Sequence, residues 1–407
     1  HSSMPDRTSD ILVVGCGPSG LVAAALLARA GHRVTAIDST DDVDVRGPLV
    51  LTRPGIAVLA ELEWIDDLRA LTGCSTSSEL ELVCPGERVV VFDRWEMLAV
   101  ARSAALQLFA DRALMLGVTV IRGFTAVAPL WEQRRVVGVT ARTSKGVEHT
   151  LGAKVVVDAT GPASFLAGAL GQLLPHRGAP RCRVAGWLAD GAPERPSLAI
   201  ADGHWVQTLP SQGGEVVAVM HCDADPRGDP EAMLERCVES LGLEAPPRVT
   251  GCAVVAPRVG ISLLAQAGDG WIAVGEAAGC GSPGSPGTTS TGLAVASTAA
   301  WEVDIALDQG RAVSTGQLGA TVALTRQAIS LGSLLNRALA RAAATGLLQC
   351  AVETPGRHRL LASMLQGDWT MPRGRLRRLV YLWWLDLKTR RAMRRATPGK
   401  RPTDDDD

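Results

Sequence analysis

The sequence predicts an α/β fold: a parallel-sheet domain takes an antiparallel β-sheet as an insertion and ends in a helical C-terminal extension. Three observations carry that reading. A strand, glycine turn, helix and second strand open the chain over residues 11–38. From Arg181 to about Ala253 the pattern changes to short alternating runs. From about residue 313 helical spacing continues to the end.

The opening unit is the most informative. Ile11-Leu-Val-Val14 is an apolar run that reads as a buried strand, and Gly15, Gly17 and Gly20 follow at G-x-G-x-x-G spacing. Gly15 permits the tight turn, Gly17 lets a pyrophosphate approach the backbone, and Gly20 lets a helix pack close to the strand. That helix, over about Pro18 to Ala30, has Pro18 and Ser19 in its first turn and stops at Gly31. Its N-terminus offers unpaired N–H groups and a positive dipole end to phosphates. The second strand, Arg33 to Ile37, ends at Asp38, 18 residues past Gly20, where a carboxylate can accept from a ribose 2′-OH. In this order the features describe a Rossmann-like dinucleotide cradle.

Downstream, Ile56, Leu59, Ala60, Leu62 and Ile65 predict a helix over about 54–71, and residues 79–84 and 88–92 predict a hairpin around Pro85-Gly86. Asp93-Arg94 is expected to open a long helix to Met115, stopped by Gly117. Strands are predicted at 118–121, 135–141 and 148–157. The last runs into Asp158-Ala-Thr-Gly161-Pro-Ala-Ser164, a second buried strand entering a glycine turn. After a boundary at Leu174 to Pro180, strands near 182–189, 197–201, 203–209 and 215–222, with a helix near 229–241, make the inserted sheet. Trp271 to Gly275 returns to a buried strand, and the loop Glu276 to Gly287 leads into a helix from about Thr291. The expected division is 8–178 and 256–312 for two parts of a cofactor domain, 179–255 for the insertion and 313–407 for the helical region.

Composition narrows the function classes. A formal charge of −1 gives no global field for nucleic acid, and no run approaches the ~18 apolar residues of a membrane span. The opening His-Ser-Ser-Met reads as a remnant of cloning rather than a signal peptide. Nine cysteines, odd in number and without a C-x-x-C pair, argue against a disulfide framework, a zinc site or an iron–sulfur site, and suit a reducing cytoplasm.

Three separated segments coincide: Gly15/Gly17/Gly20 with Asp38, Asp158-Ala-Thr-Gly161 with Ser164, and Gly275-Glu276-Ala-Ala-Gly with Pro283. In order and approximate spacing they resemble the FAD-dependent monooxygenases of the p-hydroxybenzoate-hydroxylase-like superfamily, most closely the tryptophan-halogenase and geranylgeranyl-reductase branches. The resemblance covers about residues 10–300. It implies that Gly15, Gly17 and Gly20 hold the FAD pyrophosphate and Asp38 the adenosine ribose, with Arg46 and Arg94 along the flavin chain. It implies further that Glu276, standing where the family has Asp, contacts the ribityl chain, and that Pro283 to Gly287 lines the isoalloxazine. Phe165-Leu-Ala167 stands where NADPH-using members often carry an arginine, so the electron donor is either NAD(P)H or a separate flavin reductase. Halogenation is disfavoured: no lysine precedes Lys145, and the family's G-W-x-W-x-I-P motif is absent.

The resemblance implies hydroxylation of an aromatic ring by molecular oxygen through a flavin C4a-hydroperoxide, with the indole of a peptidyl tryptophan as one candidate substrate, as in tryptophylquinone biogenesis. The alternatives are a geranylgeranyl-reductase-like flavoprotein acting on an isoprenoid, and a flavin-binding electron carrier. Trp205, Gln207 and Leu209 fall on one face of a predicted strand, in a stretch that resembles the reductase branch's substrate wall. They are the candidate substrate contacts, with core packing the competing reading for Trp205. His204 and His221 are candidate bases because histidine titrates near neutrality. Cys280, beside the flavin loop, is expected to be a small buried thiol, with contact to the cofactor the competing reading. The helix from Arg375 to Arg395 has an apolar centre flanked by arginines. It can dock a membrane surface or an acidic partner, including a peptide or protein substrate, or pack on the flavin domain with its arginines in solvent.

Overall fold

The computed structural model describes residues 7–41, 47–84, 87–93, 95–174, 181–189, 195–201, 204–209, 216–222, 229, 231–232, 234–235, 248–259, 263–280, 287–368 and 375–396. The chain opens with β1 (Arg7–Val14), α1 (Pro18–Arg29) and β2 (Val34–Ile37), as the sequence predicts. After β3 (Pro48–Thr52), the helix expected over 54–71 is two pieces, α2 (Arg53–Glu61) and α3 (Ile65–Arg69). The break is at Glu63, whose φ of 62° is left-handed, and it turns Trp64 inward against Phe109, with ring centroids 5.4 Å apart. After β4 (Ser75–Ser77), the hairpin β5 (Leu80–Cys84) and β6 (Glu87–Phe92) forms as predicted. The long helix expected from Asp93 is instead β7 (Met97–Ala101) followed by α4 (Arg102–Met115). Met97 to Val100 are all buried, and β7 pairs with β3, a non-local partner that local periodicity does not register.

β8 (Thr119–Ile121), β9 (Phe124–Glu132), β10 (Arg135–Thr143) and β11 (Glu148–Asp158) follow, then α5 (Phe165–Ala169). β9, absent from the sequence reading, carries Pro129 and weak alternation; it is a strand because it pairs with β10. The insertion supplies β12 (Arg181–Ala189), β13 (Ser197–Ala201), β14 (His204–Leu209), β15 (Val216–Cys222) and β16 (Arg248–Val259). Most of the helix expected near 229–241 lies outside the described residues. β17 (Ala267–Gly268) and β18 (Trp271–Ala273) return to the first sheet, and α6 (Thr288–Asp308), α7 (Gly319–Ala344), α8 (Leu348–Val352), α9 (Pro355–Leu365) and α10 (Arg375–Ala396) complete the chain.

Three sheets result. An eight-stranded sheet runs β17-β18-β11-β1-β2-β8, with β10 and β9 extending from β11. Its β18, β11, β1, β2 and β8 are parallel, so their carboxyl ends share one edge. A seven-stranded sheet runs β16-β12-β15-β14-β13-β5-β6, so the β5–β6 hairpin from the first part of the chain completes the inserted sheet. β3, β7 and β4 form a small third sheet.

Among the described residues two large hydrophobic cores form. The first packs β1, β2 and β11 against α1, α4 and α6, through residues such as Ile11, Val13, Leu21, Leu27, Phe109 and Val303. The second packs Leu80, Leu82, Trp95, Trp205 and Leu209 against α7, α9 and α10, through residues such as Leu335, Leu361 and Leu382. The final helix thus buries Tyr381, Leu382 and Leu385 in the second core, which includes Val50 and residues from Leu80 to Ala99 of the first part of the chain as well as the inserted strands. Buried Glu302 of α6 links the two regions. It accepts from Ala320 N (2.8 Å), Thr321 N (2.8 Å) and Thr321 Oγ1 (2.6 Å), satisfying the first amides of α7. Glu302→Ala removes all three bonds and is expected to cost about 2–3 kcal/mol of stability, with Glu302→Gln losing less, as read from denaturant midpoints. An unchanged midpoint for Glu302→Ala would refute this role.

Candidate cofactor and substrate site

The site begins where the parallel strands end. Gly15 has a φ of 105°, and its N–H donates to Ile37 O at 2.8 Å, tying the turn to β2. A Cβ on Gly15 would collide with the carbonyl of Ala159, and one on Gly20 would collide with the carbonyl of Gly15. Gly17 is different: a Cβ there would meet nothing within 4 Å. Gly17 is also the N-cap of α1 and supplies no side-chain cap, so the first amides and positive dipole end of a 12-residue helix face that open side. This is the arrangement a pyrophosphate needs, and a side chain at Gly17 would fill it.

Asp38 lies at the rim of this cradle. Its Oδ2 accepts from Cys16 N at 2.6 Å, and its Oδ1 accepts from Thr40 N at 2.9 Å and Thr40 Oγ1 at 2.7 Å. The carboxylate is fixed in orientation yet keeps lone pairs for a ribose hydroxyl. Burial, with the Asp38 carboxylate beside it, pushes the Cys16 thiol up to about 12, so this sulfur stays protonated.

The second segment is a pin. Asp158, fully buried at the end of β11, accepts from Thr160 N (3.0 Å), Thr160 Oγ1 (2.7 Å) and Leu166 N (2.7 Å). Burial raises its pKa against those three bonds. Ser164, left-handed at φ 42°, donates from Oγ to Ala277 O at 2.8 Å and so joins the second segment to the third.

The third segment leaves β18 through Gly275, whose φ is 62°. An added Cβ would lie 2.6 Å from Ser19 Oγ at Gly275, and 3.0 Å from the same atom at Gly292. Ser19, Gly275 and Gly292 therefore meet, bringing the starts of α1 and α6 together across the strand ends. Glu276 is half-buried in the short turn Gly275–Ala278. Burial, with Glu276 adding to it, pushes the Cys280 thiol up to about 12, as expected of a small buried thiol. Arg46, Arg94 and Pro283 lie outside the described residues, as do the side chains of His204 and His221.

Gly287, expected beside the isoalloxazine, caps α6 and abuts the backbone of Gln366 and Gly367 at the end of α9. Sequence reasoning missed this seam. Thr52 Oγ1 donates to Gln366 O (2.6 Å), Thr52 N to Ser290 Oγ (2.7 Å) and Glu96 N to Gln366 Oε1 (3.4 Å). Arg53 Nη1 lies 3.3 Å from Asp368 Oδ2. The one local hint was Gly367, which holds a φ of 79° directly against Thr291.

On the substrate side, Trp205 and Leu209 are buried in the second core. Gln207, also buried, points its Nε2 at Met97 Sδ, 3.8 Å away. Sequence reasoning also missed Trp95, which is 3% exposed and whose Nε1–H has no acceptor. A cleft of about 440 Å³ lined by Trp131, Arg134 and Trp271 lies toward the opposite, amino-terminal end of β18 and takes no part in this site.

Comparison with known proteins follows the same lines. Residues 8–234 match the family described as FAD binding domain. The chain is 28% identical over 306 residues to the menaquinone reductase of Mycobacterium tuberculosis (strain CDC 1551 / Oshkosh), covering 68% of this chain and 72% of that one. The fold is shared with p-nitrophenol 4-monooxygenase PnpA from Pseudomonas putida DLL-E4, at TM-score 0.67, 18% identity and coverage of 93% and 99%. It is shared also with the flavin-dependent brominase Bmp2, at TM-score 0.72, 16% identity and coverage of 95% and 100%.

The cradle makes a paired prediction. Gly17→Val fills the open side, so the chain keeps its fold by circular dichroism but binds FAD at least ~10-fold more weakly by calorimetry. Gly20→Ala forces backbone apart and costs about 1–3 kcal/mol of stability before any ligand is added. Equal FAD affinity in Gly17→Val and the parent chain would contradict the assignment.

Proposed function

The chain belongs to the FAD binding domain family, and from that premise we propose that it is a monooxygenase that hydroxylates an aromatic ring. One observation carries the reading: among the described residues the buried Trp95 N–H has no acceptor and the buried Gln207 amide meets a thioether, while Glu96, next to Trp95, bonds Gln366 against the start of α6. An aromatic substrate with one polar substituent matches that lining, because apolar walls hold the ring and the two donors fix its orientation. When bound and reduced, FAD supplies electrons to molecular oxygen, and the organic chemistry is the cofactor's. The chain's part is to bind, orient and keep water out. Gly15, Gly17, Ser19 and Gly20 would hold the pyrophosphate and Asp38 the ribose, while the Thr52–Ser290–Gln366 seam shields the end of α6 from solvent. Phe165, in place of an arginine, favours electron delivery by a separate flavin reductase.

The finer reading, the indole of a peptidyl tryptophan, sets the substrate panel: phenols, free indoles and tryptophan-containing peptides. The holoenzyme, reduced by NADH, NADPH or an added flavin reductase, is given isotopically labelled oxygen with each. A product one labelled oxygen heavier supports the monooxygenase, and label in peptides but not free indoles supports the finer reading. Absence of labelled product throughout ends the proposal. Trp95→Phe keeps the ring and loses the N–H, and is expected to raise KM about 5–10-fold with FAD affinity unchanged.

The 28% identity to a menaquinone reductase favours a second reading, reduction of an isoprenoid-bearing quinone. It predicts turnover without oxygen and a product heavier by two hydrogens.

A further inference from the structure

The outer face of α10 is not used by the fold or by the proposed reaction. Its inner face is fully committed: Tyr381, Leu382 and Leu385 are in the second core, Tyr381 Oη donates to Ala351 O at 2.8 Å, and Arg378 Nη2 donates to Ser363 Oγ at 3.1 Å. The opposite face is apolar and open. Trp383 is 66% exposed, Val380 56% and Leu379 37%, and Met393 follows at 43% one turn before the end. Val380, Trp383 and Leu387 recur at i, i+3 and i+7, so they form one stripe rather than scattered residues. Such a stripe on a surface helix calls for an occupant.

Charge selects which one. Between residues 369 and 407 the sequence has nine Arg and two Lys against five acids, Asp386 and the terminal Asp404 to Asp407, so the helix itself is basic. Asp386 is turned inward to Arg341 and Arg390, which leaves exposed Arg377 and Arg391 beside the stripe. The whole chain carries −1, so this is a local concentration of positive charge and not a general property. A tryptophan and aliphatic stripe flanked by arginines fits the boundary between lipid headgroups and acyl chains. An acidic protein would be met by the arginines but leaves the apolar stripe without a reason. No described helix is long and apolar enough to cross a membrane, so the contact is in the plane of the surface.

We propose that α10 docks the protein on an anionic lipid surface through Val380, Trp383 and Leu387, with Arg377 and Arg391 against the headgroups. This inference does not depend on which reaction the flavin site performs.

The test is co-sedimentation of the FAD-loaded chain with vesicles of phosphatidylcholine alone or with about 30% phosphatidylglycerol. Binding is expected only to the anionic vesicles, falling steeply as salt is raised to about 0.5 M. Arg377→Gln and Arg391→Gln should each weaken it about fivefold. Trp383→Ser should abolish it, while its FAD spectrum and circular dichroism stay those of the parent chain. A protein that stays in the supernatant with anionic vesicles overturns the proposal. So does binding that Trp383→Ser leaves unchanged. A dimer in light scattering that Trp383→Ser dissolves also overturns it, since the face would then belong to a second copy.

Discussion

The structure depends on backbone meeting backbone at the end of β1. Gly20 lies against the carbonyl of Gly15, and Gly15 against that of Ala159, with no room for a methyl group at either. That contact sets α1 hard against the strand ends, which places Ser19 where Gly275 and Gly292 can reach it. The starts of α1 and α6 are thus held near one another, and neither has a side-chain cap bond. The uncapped, open-sided start of α1 favours an anionic group there.

The rest of the molecule is built on a second core. There the inserted sheet packs Trp205 and Leu209 against the helices after residue 313. The seam at Gln366 and Gly367 is where the two parts of the chain meet, through Thr52, Ser290 and Gly287. Arg53 spans it, reaching Glu96 at 3.6 Å and Asp368 at 3.3 Å. Burial raises the pKa of Asp368 while Arg53 and Arg378 pull it back, so this carboxyl is held by its arginines rather than free to act on substrate.

What the sequence disclosed follows from what kind of signal each feature leaves. The cradle was legible because its constraints are local: glycines forced by steric contact, a strand read from four apolar residues, and an acid at fixed spacing. The inserted strands β12 to β15 were legible for the same reason, as runs bounded by turn residues. β7 was not, because Met97 to Ala101 is a strand by pairing between two distant partners, β3 and β4, and β9 by pairing with β10. The break at Glu63 was hidden because it serves a tertiary contact, Trp64 on Phe109. Within the site, the role of Gln366 was invisible: its carbonyl takes the Thr52 hydroxyl and its side chain the Glu96 amide, both partners some 270 or more residues away in the chain. Trp95 was passed over because an indole in an apolar stretch reads as core until its N–H is seen to lack an acceptor.

The most direct test of the account is a crystal structure of the FAD-loaded chain. The account predicts the pyrophosphate against Gly17 and the first amides of α1, a ribose hydroxyl on Asp38, and the isoalloxazine at the Gly287 end of α6 facing Trp95 and Gln207. An isoalloxazine on the far side of the parallel sheet from the second core, or a cofactor whose phosphates do not touch the Gly15–Gly20 turn, would contradict it.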